Sequence, residues 1–225
     1  MVCLQSLAGP GMEAKEIRIK TLFLCLAAVI AVELGTWVVV SNSGYHPMLV
    51  LGGARLLQIL LIILIVVIWG KGISSIGLAR SEMFSGSKKG LLWSAGFGAI
   101  GSIASVGLFA VGINPLTLLK APLPTQTVDL VLFFFVGGII GPVAEEFFFR
   151  GILYGFLRRW GVVVAVFLST LLFVLPHAIH QRIPITQVVG GIVFAVAYEV
   201  EGSLMVPIII HVLGNLAIFS MSLLF

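Results

Sequence analysis

The 225 residues are 60% hydrophobic and 10% charged, with a mean hydropathy of +1.19 and a net charge of +4. A soluble domain carries about 25% charged residues. This composition therefore excludes a cytosolic globule, a secreted disulfide scaffold, a disordered tail and a nucleic-acid reader, and leaves an integral membrane protein. At roughly 20 residues per span plus short loops, the length suits one bundle of about six to eight helices. Two cysteines, Cys3 and Cys25, make no disulfide framework, and Cys25 sits in an apolar run as a small packed residue.

In chain order, residues 1–11 show no periodicity and contain Gly-Pro-Gly, so they read as a tail, with Met12 a candidate start. Residues 1–20 form an N-terminal segment, 21–127 a first group of spans, and 128–225 a polar-motif-bearing helical core. The first span is Thr21–Val40. Lys15, Arg18 and Lys20 precede it, but no small-x-small cleavage site follows, so it is a retained anchor. The second is Met48–Trp69, with Arg55 placed to snorkel towards the outer surface. Residues 70–89 are polar and Gly/Ser-rich, a loop with one interfacial turn. The third span, Gly90–Gly112, has glycines and alanines suited to close helix packing. Pro115, Pro122 and Pro124 mark an external loop. The fourth span, Val128–Leu157, is long for one crossing and carries Gly137, Gly138 and Gly141-Pro142, where a kink or break is expected. Val162–His180, Ile185–Val200 and Ser203–Phe225 complete an all-α bundle of seven spans.

Seven spans put the termini on opposite sides. With the N-terminus cytoplasmic, the inner flanks hold nine basic residues (Lys15, Arg18, Lys20, Lys71, Arg80, Lys88, Lys89, Arg158 and Arg159). The outer flanks hold two, Lys120 and Arg182. The positive-inside rule favours this orientation. No internal repeat is visible, against the common inverted-repeat transporter plan.

An ionisable residue inside a span costs about 2.5–3.5 kcal/mol on the insertion scale and calls for a functional reading. Glu145, Glu146 and Arg150 share one apolar helix in GPVAEEFFFRG (141–151). Glu146 and Arg150 are four apart and can pair. Glu145 is rotated by about 100° and points elsewhere, placed to take a proton from water. A structural ion pair near a helix end is the alternative. His177, after Pro176, lies late in the fifth span with His180 three residues on, and His211 and Asn215 share one face of the seventh. Each alone is as well explained by helix–helix hydrogen bonding. Together, three apolar helices with polar groups and no water to satisfy them are expected to converge on one interior site. Glu33 is placed to reach Arg55 or a loop, and Glu199 and Glu201 read as interfacial. Phe133–Phe135 and Phe147–Phe149 are lipid-facing or packing faces.

No His-Glu-x-x-His, Gly-x-Ser-Gly or phosphate-loop motif occurs, and Asp129 is the only aspartate. The order Glu-Glu-x-x-x-Arg (145, 146, 150), Phe-x-x-x-His (173, 177) and His-x-x-x-Asn (211, 215) resembles the CPBP family. These are type II CAAX prenyl endopeptidases and their prokaryotic relatives, and the resemblance covers about residues 130–225. It implies an intramembrane endopeptidase acting on a membrane-associated protein or peptide. Glu145 and His177 would activate water, His211 and Asn215 would stabilise the oxyanion, and Glu146 and Arg150 would brace the site. A metal-free site with no cofactor is favoured, because Asn is a poor zinc ligand and a good oxyanion donor. The rival is zinc held by Glu145, His177 and His211. Protein maturation, C-terminal sorting-signal removal, peptide export and bacteriocin immunity stay open as roles. A non-catalytic membrane partner and a proton-coupled transporter are the competing classes.

Overall fold

The computed structural model describes residues 17–178 and 184–224. The expectations for residues 1–11, Met12, Lys15, His180 and Arg182 lie outside them. Among the described residues there is no strand, and seven long helices follow one another: α1 (Ile19–Asn42), α2 (Pro47–Trp69), α3 (Met83–Ala110), α4 (Thr127–Trp160), α5 (Val162–Ala178), α6 (Ile185–Glu201) and α7 (Met205–Ser222). The protein is an integral membrane helix bundle. Helices α1, α2, α3, α4 and α7 are long and apolar enough to cross a bilayer. Helices α5 and α6 have 17 residues each, about 25 Å against a hydrocarbon core of roughly 30 Å. They are consecutive, so the parity of crossings is the same whether or not they span fully.

One boundary and the content of one linker differ from the sequence reading. Helix α3 starts at Met83 rather than Gly90, and the polar linker holds two short 3₁₀ turns, Ile73–Ile76 and Arg80–Glu82. Ser85, Ser87, Lys88 and Lys89 are good enough helix residues to extend the helix into the polar flank. The close packing expected of α3's glycines comes only from its first part. A Cβ on Gly86 would meet Ser203 Oγ at 2.3 Å, and one on Gly90 would meet Ile209 at 2.9 Å. Gly96, Gly98, Gly101 and Gly107 have nothing within 4 Å. Beyond them α3 turns apolar residues such as Ile100, Ile103 and Val106 outward, as a lipid-facing helix must.

Helix α4 is the axis of the bundle and touches α1, α2, α5, α6 and α7. Its buried Phe147, Ile152, Tyr154, Phe156 and Leu157 pack with Ile62 and Val66 of α2, Tyr198 of α6 and Ile208 of α7. The irregularity expected near Gly137–Pro142 is a π-helical stretch over Val136–Ile140, with no break in the helix. Gly141 N–H reaches back five residues to Val136 O. This wider turn absorbs the donor that Pro142 lacks and the space its ring needs. A second π stretch covers Phe147–Tyr154.

The peripheral helices are tied by charge. Arg55 does not snorkel: it pairs with Glu33 and donates to Gln58 Oε1 at 2.7 Å, while Gln58 donates to Glu33 at 2.8 Å. A partner one helix away removes the need to reach water. At the other end of α2, Met48 N–H donates to His46 Nδ1, and His46 Nε2 donates to Asp129 Oδ1 at 2.6 Å, in the first turn of α4. Glu199 is buried rather than interfacial, gripped by Arg158 through two nitrogens and by the Tyr154 hydroxyl at 2.8 Å.

The α3–α7 contact gives a stability test. Gly90→Leu must displace Ile209, and overpacking of this kind costs about 1–3 kcal/mol. Gly98→Leu meets nothing and removes a helix glycine, so it should hold or slightly raise stability. Unfolding in mixed detergent micelles measures both, and equal responses would contradict this packing.

Candidate active site

The site is built where α4 faces α5, α6 and α7. Glu146 is fully buried, with both the side chain and the residue at 0% exposure. Its Oε1 accepts from Arg150 Nη1 at 3.0 Å, one turn on, and from His211 Nδ1 of α7 at 2.7 Å. Arg150, also at 0%, donates through Nη2 to Gly191 O of α6 at 3.1 Å. Its guanidinium lies over Phe173 of α5 at 4.6 Å and Phe194 of α6 at 5.2 Å. Arginine suits this place because its planar fork satisfies two acceptors while its face packs on aromatic rings. Gly191 makes the approach possible: a Cβ there would meet Thr170 Cγ2 at 2.9 Å.

His211 is 5% exposed and stacks on Phe194, with ring centroids 4.5 Å apart and planes 23° from parallel. Because Nδ1 faces a carboxylate that also takes Arg150, its proton sits on Nδ1 and donates to Glu146. The other nitrogen, Nε2, is then turned to Glu145 Oε2 at 3.8 Å. That gap is too long for a direct hydrogen bond and suits a bridging molecule. The Glu145 side chain is 26% exposed, unlike its neighbour.

Asn215 stands one turn beyond His211 and donates through Nδ2 to Gly137 O at 3.0 Å, inside the first π stretch of α4. The amide has a second Nδ2 hydrogen, which this bond does not use. His177 is tied differently. Its Nδ1 bonds the Phe173 carbonyl of its own helix at 2.9 Å, and its ring lies 5.1 Å from Phe173. No hydrogen bond or ion pair joins it to Glu145 among the described residues. Phe173 is the link, since its ring also lies 5.7 Å from His211. Glu145, Glu146, Arg150 and His211 thus form one polar cluster, with Asn215 beside it and His177 behind an aromatic ring.

Glu145 and His211 supply two ligands, and among the described residues no three His, Cys, Asp or Glu side chains gather to hold a metal ion. The structural residues that motif reading missed are Phe194, Gly191 and Tyr154. Gly190-Gly191 in an apolar helix was the visible signal for the second; Phe194 and Tyr154 carried none.

The site is thus a set of adjacent glutamates, an arginine, a histidine and an asparagine brought together between membrane helices. Residues 127–217 match the family described as type II CAAX prenyl endopeptidase Rce1-like. The membrane-embedded CAAX protease MroQ of Staphylococcus aureus is 37% identical over 91 residues, which are 37% of this chain and 36% of that protein. The chain therefore spans about a third of MroQ's length. An uncharacterized 24.3 kDa protein of Escherichia coli is 25% identical over 185 residues, 77% of this chain and 80% of that one. No solved structure gives a significant match.

Arg150→Ala would strand the Glu146 carboxylate in the core, and breaking such a pair costs about 3–5 kcal/mol. Arg150→Leu combined with Glu146→Gln leaves no unpaired buried charge and should recover much of that loss. Unfolding of the single and double variants in detergent tests this. A double variant less stable than the singles would mean the pair is not what holds these helices.

Proposed function

We propose that the protein is an intramembrane endopeptidase that cleaves a membrane-associated protein or peptide with a water activated by Glu145. The observation that carries this is His211, bonded through Nδ1 to the buried Glu146 and aimed through Nε2 at the more open Glu145. Glu146 and Arg150 hold the imidazole; Glu145 is left to do chemistry.

A water between Glu145 and His211 Nε2 gives a proton to Glu145 as its oxygen attacks the scissile carbonyl carbon. The carbonyl π pair moves to oxygen, and the second amide hydrogen of Asn215 donates to that oxyanion. His211 stands beside the same atoms. On collapse the C–N bond breaks and the proton returns from Glu145 to the leaving amine. His177 bonds the Phe173 carbonyl through Nδ1, and its Nε2 has no hydrogen-bond partner among the described residues. No metal takes part in this scheme. The kinship with proteases supports the reaction class. The relatives' bacterial sources and the basic inner flanks support a prokaryotic cell membrane with the N-terminus inside and the C-terminus outside.

Purified protein is assayed against candidate membrane-anchored substrates. Glu145→Gln keeps the shape and removes the base, so turnover should fall by roughly 10²–10⁴. Asn215→Ala should bind substrate and turn over about 10²–10³ more slowly, the usual cost of one oxyanion donor. A fully active Glu145→Gln variant would overturn the mechanism. Stoichiometric zinc by elemental analysis, with activity lost on chelation and restored by zinc, would overturn the metal-free part alone.

A further inference from the structure

One hydrogen bond does not fix the plane of an imidazole. His211 Nδ1 donates to Glu146 Oε1 at 2.7 Å. Such a bond weakens steeply only when its angle falls below about 120°, so by itself it leaves the ring latitude to tilt by tens of degrees. The nitrogen that a tilt displaces is Nε2, on the far side of the ring, where it faces Glu145 Oε2 at 3.8 Å. The plane is set by a different contact. Phe194 of α6 lies against the face of His211, with ring centroids 4.5 Å apart and planes 23° from parallel. Phe173 meets the same imidazole near-perpendicular, at 5.7 Å and 81°, and offers it no parallel plate.

Phe194 is itself held as a fixed plate. It is buried, and its ring lies back over the preceding turn of α6, on Gly190. A Cβ at Gly190 would come 3.2 Å from Phe194 Cζ and 3.3 Å from Cε2. The Arg150 guanidinium covers the ring at 5.2 Å, and Phe173 abuts it at 6.3 Å and 77°. The two adjacent glycines of α6 therefore divide the work: Gly191 lets Arg150 reach a carbonyl, and Gly190 seats Phe194. We propose that Phe194, seated on Gly190, is a positioning residue that sets the plane of His211 and so aims Nε2 at Glu145. Phe194 acts through His211 and touches no reacting atom. Its effect on turnover rests on the proposed reaction; its hold on the ring does not. Where water stands between Glu145 and Nε2, a misplacement of about 1 Å can cost roughly 100-fold in rate.

Two measurements on the full chain in lipid bilayers test this. The first does not depend on activity: the dipolar order parameter of the His211 ring C–H bonds, by solid-state NMR of histidine-labelled protein. The chain has four histidines, and the signal lost in His211→Gln assigns the ring. The wild-type ring should sit near the rigid limit. Phe194→Leu keeps an apolar side chain but not the flat face, so the order parameter should fall clearly while the Nδ1 proton stays bonded to Glu146. The second is turnover of a membrane-anchored substrate. Phe194→Leu should lower kcat by roughly 100-fold, the cost of a misplaced reacting group, and change KM by less than about twofold, since a positioning loss is not a binding loss. Gly190→Ala, the milder second variant, makes the Phe194 ring give way and should lower kcat by about tenfold. Phe149→Leu is the packing control: its ring contacts are Phe148 and Phe173, and its turnover should be unchanged. Equal ring order in wild type and Phe194→Leu would overturn the proposal, as would equal losses of kcat in Phe194→Leu and Phe149→Leu. A rigid wild-type ring freed by Phe194→Leu, in a protein without peptidase activity, would uphold the positioning role and overturn the proposed reaction instead.

Discussion

A carboxylate with no exposure, inside a bundle that itself stands in hydrocarbon, dictates the arrangement around it. Glu146 cannot be hydrated, so its charge must be met by protein. Arg150 meets it from the same helix and His211 from α7. The guanidinium then brings its own demands, answered by the Gly191 carbonyl and the faces of Phe173 and Phe194. One buried charge thereby fixes α5, α6 and α7 against α4. Glu146 Oε2 and Arg150 Nε have no partner among the described residues, so the network is not saturated. In a low-dielectric core such a network is strongly position-sensitive. That is a useful property when its outermost member is an imidazole that must be held in one tautomer.

The remaining charges follow the same logic at the rim. Glu199 locks α6 to the end of α4 through Arg158 and Tyr154. Glu201 ties α6 to α3 through Lys89 and Trp93. Asp129 ties α4 to the start of α2 through His46, and Glu33 joins α1 to α2 through Arg55. Between helices surrounded by lipid there is little hydrophobic driving force, so packing and polar ties do the selecting. Glycine contributes where backbones must approach, as Gly138 does under Leu216, where an added Cβ would lie 2.7 Å from Cδ2.

Much of this was legible in the sequence, for physical reasons. Apolar runs longer than a bilayer is thick have few outcomes, so the helices and their order follow from composition. The i,i+4 spacing of Glu146 and Arg150 specifies a pair whatever surrounds it. The disturbance at Gly137–Pro142 was readable because proline removes a donor, but its form was not: a π turn and a break satisfy the same missing bond. The start of α3 was hidden because Ser, Lys and Gly read as loop when only hydropathy is followed, though they are admissible at a helix end. Phe194 and Tyr154 looked like any other aromatic in an apolar helix. Their roles arise from partners on other helices, His211's ring for Phe194 and Glu199's carboxylate for Tyr154, which no local pattern encodes.

The adjacent glutamates show how a fold separates like residues. Glu145 and Glu146 are chemically identical and differ by one step of helix rotation. That step puts Glu146 between a guanidinium and an imidazole at zero exposure, and leaves Glu145 a quarter exposed with its oxygen 3.8 Å from the far side of the same imidazole. Glu146 carries both its bonds, from Arg150 and His211, on Oε1, and is committed to holding those two groups. A carboxylate with open geometry and a ring nitrogen close by has no such commitment. The doublet therefore needs both members. The inner one spends its charge on orienting the imidazole, and the outer one is left facing that ring's other nitrogen.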